Sequence, residues 1–147
     1  MKRFEFSLGR VLDLRKQQAS VEQARLQALL RTLHQLSATK HSLIEQLEDA
    51  RISLRQSPAT GEDLRVFVEF ERHIHARCAR TDQDSQIVQR QVREQQTKTM
   101  NADRQVKLLE NLRKQKFTEW TRQCDKELEE LAADSYLSRM MSERRGA

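Results

Sequence analysis

Leu26-Gln27-Ala28-Leu29-Leu30-Arg31-Thr32-Leu33-His34-Gln35-Leu36 puts leucine at positions 26, 29, 33 and 36, an alternation of three and four. That spacing holds one narrow stripe on the same side of a helix, the seam of a coiled coil. Followed outward, one seam position takes Leu12, Ala19, Leu26, Leu33, Lys40, Leu47 and Leu54. The other takes Leu8, Arg15, Glu22, Leu29, Leu36, Leu43 and Ala50, so eleven of fourteen positions are apolar. A period of 3.5 sustained over seven heptads predicts a first helix over about residues 8–56, with Ser7 as its expected N-cap.

The seam stops at Ser57-Pro58-Ala59-Thr60-Gly61, which holds the chain's only proline and one of its three glycines. These residues predict a turn over 57–61. Thr60 followed by Asp63 resembles a capping box, and Glu62 falls in the first turn of a new helix, expected over about 62–141. Its stripe opens with Leu64, Phe67, Phe70 and Ile74. It thins to small and polar residues between Cys78 and Ala102, recovers at Val106, Leu109 and Leu112, and shifts phase to Phe117, Trp120, Cys124, Leu128 and Leu131. Six glutamines between Gln83 and Gln96 predict a looser middle. A short connection between long helices makes antiparallel neighbours. The fold class expected is therefore all-α: one antiparallel two-helix coiled coil over residues 1–147, the second helix longer than the first. Folding about Pro58 sets Leu8 opposite residue 108 and leaves the second helix unpartnered beyond about residue 110. Exposed apolar stripes of that kind mark partner sites.

The composition agrees with an elongated helical chain. It is 37% hydrophobic, 33% charged and 5% aromatic, too poor in aromatic residues and turn formers for a compact globule. No apolar run is long enough for a transmembrane helix, and Met1-Lys2-Arg3-Phe4-Glu5-Phe6 lacks the apolar stretch of a signal peptide, so a cytoplasmic protein is expected. Cys78 and Cys124 fit a reducing compartment. On one straight helix they would stand about 69 Å apart, beyond disulfide reach, which leaves seam residues or reactive thiols.

The chain offers no glycine-rich phosphate loop, no CxxC and no Ser/His/Asp constellation. His34 and His41 are one heptad apart, and His73 and His75 fall on opposite sides of a helix, so no pair has the i,i+4 spacing of a metal site. Glu129 and Glu130 read as a solvated face. No catalytic, cofactor-binding or metal-binding residues are expected, and the chain reads as a non-enzyme. The net charge is +5, with excess cations in residues 1–31 and again at Arg113, Lys114, Lys116 and Arg122. The basic residues are interleaved with apolar ones and with Asp13 and Glu22. They do not form the dense block of a zipper-type DNA-binding helix, so no nucleic-acid partner is expected.

Phe4-Glu5-Phe6-Ser7-Leu8-Gly9-Arg10-Val11-Leu12-Asp13-Leu14-Arg15 resembles the opening of the FliJ family, the small coiled-coil component of the bacterial flagellar type III export apparatus. Leu109-Glu110-Asn111-Leu112-Arg113-Lys114, then Trp120, then Glu127-Leu128-Glu129-Glu130-Leu131 resemble its second half. Ala132 and Ala133 depart from the acidic residue that many members carry after that last leucine. The resemblance implies a non-enzymatic export factor of motile bacteria, stalk-like, cytoplasmic and peripheral at the inner face of the cell membrane. Its implied partners are the flagellar export ATPase ring, the cytoplasmic domain of the membrane export gate, and export chaperones. By the family's pattern the gate contact maps to Phe70 and Ile74, with Phe67 adjacent; those three equally suit a role as seam filling. The expected ATPase contact is Arg113, Lys114, Lys116, Phe117, Trp120 and Leu128. Two other readings of the same pattern are the stalk protein of a virulence-type secretion system and a generic coiled-coil chaperone or scaffold.

Overall fold

The computed structural model describes residues 3–146; Met1, Lys2 and Ala147, part of the expected span, lie outside the described residues. Two helices make up the fold, α1 (Gly9–Gln56, 48 residues) and α2 (Gly61–Arg145, 85 residues). The all-α hairpin with a longer second helix, expected from the heptads and the single breaker, is what is observed. The first bond of α1 runs from Leu12 N–H to Leu8 O, 2.9 Å, so Leu8 and not Ser7 occupies the cap position. Ser57 leaves the helix because a residue preceding proline is pushed out of the α region.

The chain divides into two compact units, one of Ala19–Asn101 and one of Met1–Gln18 with Ala102–Ala147. The first contains the turn. Here Thr60 and Asp63 close a capping box. Thr60 N–H donates to Asp63 Oδ2 at 2.8 Å, and Asp63 N–H donates to Thr60 Oγ1 at 3.2 Å. The Thr60 hydroxyl adds a third bond by donating to Asp63 Oδ2 at 2.7 Å. Two of the orphan donors at the start of α2 are thus satisfied, and the aspartate stands at the positive end of the helix dipole.

Leu43, Leu47 and Ile74 form the core of this unit, with Phe67, Phe70 and Cys78 packed against them. Ile74 is 2% exposed, and burying such a side chain contributes about 1.5–3 kcal/mol. Further along α2, Thr81, Val88, Val92, Gln95 and Thr99 are all buried. Burial therefore does not thin in the glutamine-rich stretch. Its polar members are accommodated by hydrogen bonds, and among the described residues no buried side-chain nitrogen or oxygen lacks a partner. The seam's one lysine is handled differently. Lys40 is half-buried, and its amine reaches Asp82 at 2.7 Å. Leu64, expected to open the stripe of α2, is half exposed at 49%.

The pairing is antiparallel, and two of its ion pairs are offset from a simple fold about Pro58. Such a fold would set Lys40 opposite residue 76 and Arg51 opposite residue 65. Lys40 instead meets Asp82, and Arg51 meets Glu71 at 2.6 Å. The cause lies in helix geometry. Each Cα–Cβ bond tilts toward its own N-terminus, so side chains of α1 lean away from the turn while those of α2 lean toward it.

In the second unit Leu12 is the buried anchor, 2% exposed. Half-buried positions on its part of α2 include Ala102, Val106, Leu109, Leu112, Trp120 and Cys124. Lys16 Nζ lies 3.3 Å from Glu110 Oε1, again further along α2 than the residue 100 given by a fold about Pro58. Both groups are well exposed, so the ion pair contributes at most about 1 kcal/mol. Heptad counting starts the unpartnered stretch of α2 at about residue 110. The structure moves that boundary, because burial continues to Cys124 and every residue from Asp125 to Gly146 is exposed.

Candidate functional site

Two groups of residues carry the sequence-derived docking expectations, one in each unit. In the turn-bearing unit, Phe67 and Phe70 are half-buried. They border an open apolar cleft together with Ala50, Leu54, Pro58 and Val66. Ile74, the third expected contact, lies in the core beneath them and presents almost no surface. A partner at this face would touch the two phenylalanines and reach Ile74 only by opening the seam. Val66 and Val68 add exposed apolar area nearby, 64% and 48%. Neither falls on the heptad stripe, so periodicity gives no sign of them.

Electrostatics tighten the same end. The Arg51 guanidinium donates to Glu71 at 2.6 Å and to Glu48 at 2.9 Å. The bond from Arg51 holds the Glu71 carboxyl below its ordinary value, and His75 adds to the effect. Bonds from Thr60, first its main-chain N–H and then its hydroxyl, lower Asp63 likewise. Lys40 is raised by its hydrogen bond to Asp82 and by that carboxylate's charge.

The second group lies on α2 between Arg113 and Leu128. Phe117 and Trp120 stack with ring centroids 5.7 Å apart and planes inclined by 29°. One helical turn brings i and i+3 side chains together, so this pairing is local to the helix. Arg113 and Lys114 share a cleft with Phe117, Lys16 and Glu110. Lys116 donates to Glu119 at 2.8 Å, a pair exposed on both sides. Leu128 is 49% exposed and lies past the last half-buried residue. The structure thus brings together Arg113, Lys114, Lys116, Phe117 and Trp120 on adjoining clefts, and places Leu128 on the bare end of the helix.

The expectation that nothing in the chain covers Phe117 and Trp120 is overturned. Phe4, from the segment before α1, meets Phe117 edge-on with centroids 5.2 Å apart and planes at 82°. It also lies 5.8 Å from Trp120. This arm, residues 3–8, borders the groove formed by Leu112, Lys116, Glu119 and Trp120. A signal for it exists in the sequence. In Phe4-Glu5-Phe6-Ser7 the apolar residues alternate with polar ones, the period of an extended segment with one side covered. Burial has the same period, with Phe4 and Phe6 half-buried and Glu5 and Ser7 exposed. Phe117 remains 50% exposed under the arm.

His34, His41, His73 and His75 are all exposed, and Cys78 and Cys124 are free thiols, each half-buried. Among the described residues no helix is long and apolar enough to cross a membrane. Compared with known proteins, the chain matches no protein-family model, no curated protein and no solved structure.

Proposed function

We propose that the protein is a non-enzymatic export factor of the flagellar type III apparatus, which binds the export ATPase ring as a stalk through the Arg113–Leu128 stretch of α2. It engages the export gate's cytoplasmic domain through Phe67 and Phe70, and it receives export chaperones. On this reading it is cytoplasmic and peripheral at the inner face of the cell membrane. The observation that carries the proposal is the end of α2: an aromatic pair, Phe117 and Trp120, flanked by Arg113, Lys114 and Lys116, leads into a helix exposed at every residue from Asp125 to Arg145. A hairpin with an asymmetric second helix supports it, as does the FliJ-like pattern from Phe4 to Arg15 and from Leu109 to Leu131. A basic and apolar end suits an acidic, partly apolar channel. Cations would steer the encounter, and a buried tryptophan is a frequent anchor. Titration of the full chain with the flagellar export ATPase tests it, and saturable binding that Trp120→Ala weakens is the expected result.

A further inference from the structure

We propose that the arm of residues 3–8 is a displaceable cover on the aromatic pair, and that it competes with the protein partner for Phe117 and Trp120. This rests on the reading of that pair as a docking surface for an acidic, partly apolar protein. Three features of the arm support it. It is not helical, and it joins α1 through a turn in which Gly9 N–H donates to Phe6 O at 3.0 Å. Its grip on α2 includes aromatic contacts: Phe4 meets Phe117 edge-on and lies against Trp120. The cover is thin, since Phe4 and Phe6 are themselves half-buried and Phe117 keeps half its surface.

Aromatic contacts such as those of Phe4 contribute about 0.5–1.5 kcal/mol each, enough to favour the closed form and small enough to be exchanged for a partner's. An incoming apolar side chain would take the place of Phe4, while Arg113 and Lys114 border the same cleft as Phe4 and can meet acidic groups. The competent state is then the open one, and apparent affinity is the intrinsic affinity reduced by the open fraction. Removing the clasp should raise apparent affinity. Were Phe4 part of the docking surface, its removal would lower affinity instead.

Trp120 is the only tryptophan in the chain, so its fluorescence reads the cover without a partner. Phe4 lies outside both helices, so Phe4→Ala should leave the helical circular dichroism unchanged. In the full chain Phe4→Ala is expected to increase acrylamide quenching of Trp120, and to tighten binding to the flagellar export ATPase by about three- to tenfold, with Phe4→Leu in between. Unchanged quenching overturns the cover. Increased quenching with equal or weaker ATPase binding overturns the competition and makes the arm a bystander or part of the docking surface. Failure of wild type and variant alike to bind the ATPase overturns the docking reading and the competition with it. The quenching comparison then still decides separately whether the arm covers Trp120.

Discussion

The carboxamide of Gln95 donates to the main-chain carbonyl of Glu22 at 3.1 Å and also to the Glu22 carboxylate, across 73 residues of sequence. Thr99 stands next to it, its hydroxyl donating to Gln95 O at 2.9 Å. A polar layer inside an apolar seam fixes register at some cost in stability, because a slip would strand its members without partners. Gln95→Leu should therefore destabilise the fold by about 1–3 kcal/mol, since it takes from the part-buried Glu22 Oε2 its partner across the seam, while Thr99 and Arg25 still serve the Glu22 carbonyl and Oε1. The double substitution Glu22→Leu with Gln95→Leu should recover most of that loss. Urea unfolding followed by circular dichroism measures both, and a neutral single substitution would mean that the layer does not pin the register.

Ile74→Ala should cost about 2–5 kcal/mol in the same measurement, as an isoleucine buried among Leu43 and Leu47 leaves a cavity. Phe67 and Phe70 are half-buried and border an open cleft, so they can touch a partner without unfolding. Phe70→Ala should weaken binding to the export gate's cytoplasmic domain while the helical signal persists. An Ile74 variant that stays as stable as wild type would show that the core is not where burial places it.

The pH dependence should come from the turn-bearing unit. Asp63 and Glu71 are held below their ordinary values of 3.8 and 4.5 by Thr60 and Arg51 respectively. A carboxyl whose folded pKa is lowered stabilises the fold above its ordinary value and stops doing so as pH falls through the lowered one. Stability should thus begin to decline near pH 4.5 and continue to fall below 3.8. Lys40 is raised above 10.5 by Asp82, so its contribution should persist to pH 10.5 and disappear above it. Thermal unfolding of wild type and Asp63→Asn checks the acid limb. The variant should show a shallower decline, and identical profiles would remove Asp63 as a contributor.

The seam of α1 was legible almost residue by residue. Its fourteen heptad positions include every buried residue of that helix, and only Leu8 among them is exposed. The turn and its capping box were equally plain, because Pro58 and the Thr60/Asp63 spacing act locally. The ion-pair partners were not, since the lean of side chains carries Lys40 to Asp82 and Arg51 to Glu71, past the residues that counting sets opposite them, whereas Gln95 meets Glu22 where counting puts it. The Phe4 clasp was missed for a related reason. Heptad arithmetic treats the chain before the first seam residue as a tail, and only the two-residue alternation of Phe4 and Phe6 indicated an extended arm. The identity of a partner is not written in the periodicity at all, because a coiled-coil seam looks alike whatever its end can bind.

Titration of labelled full-length protein with the assembled flagellar export ATPase, for wild type and Trp120→Ala, tests the docking claim most directly. The expected result is saturable binding by wild type and a loss of more than about 2 kcal/mol, roughly thirtyfold in Kd, for the variant. Binding by Trp120→Ala with the affinity of wild type, or no binding by wild type at all, would contradict it.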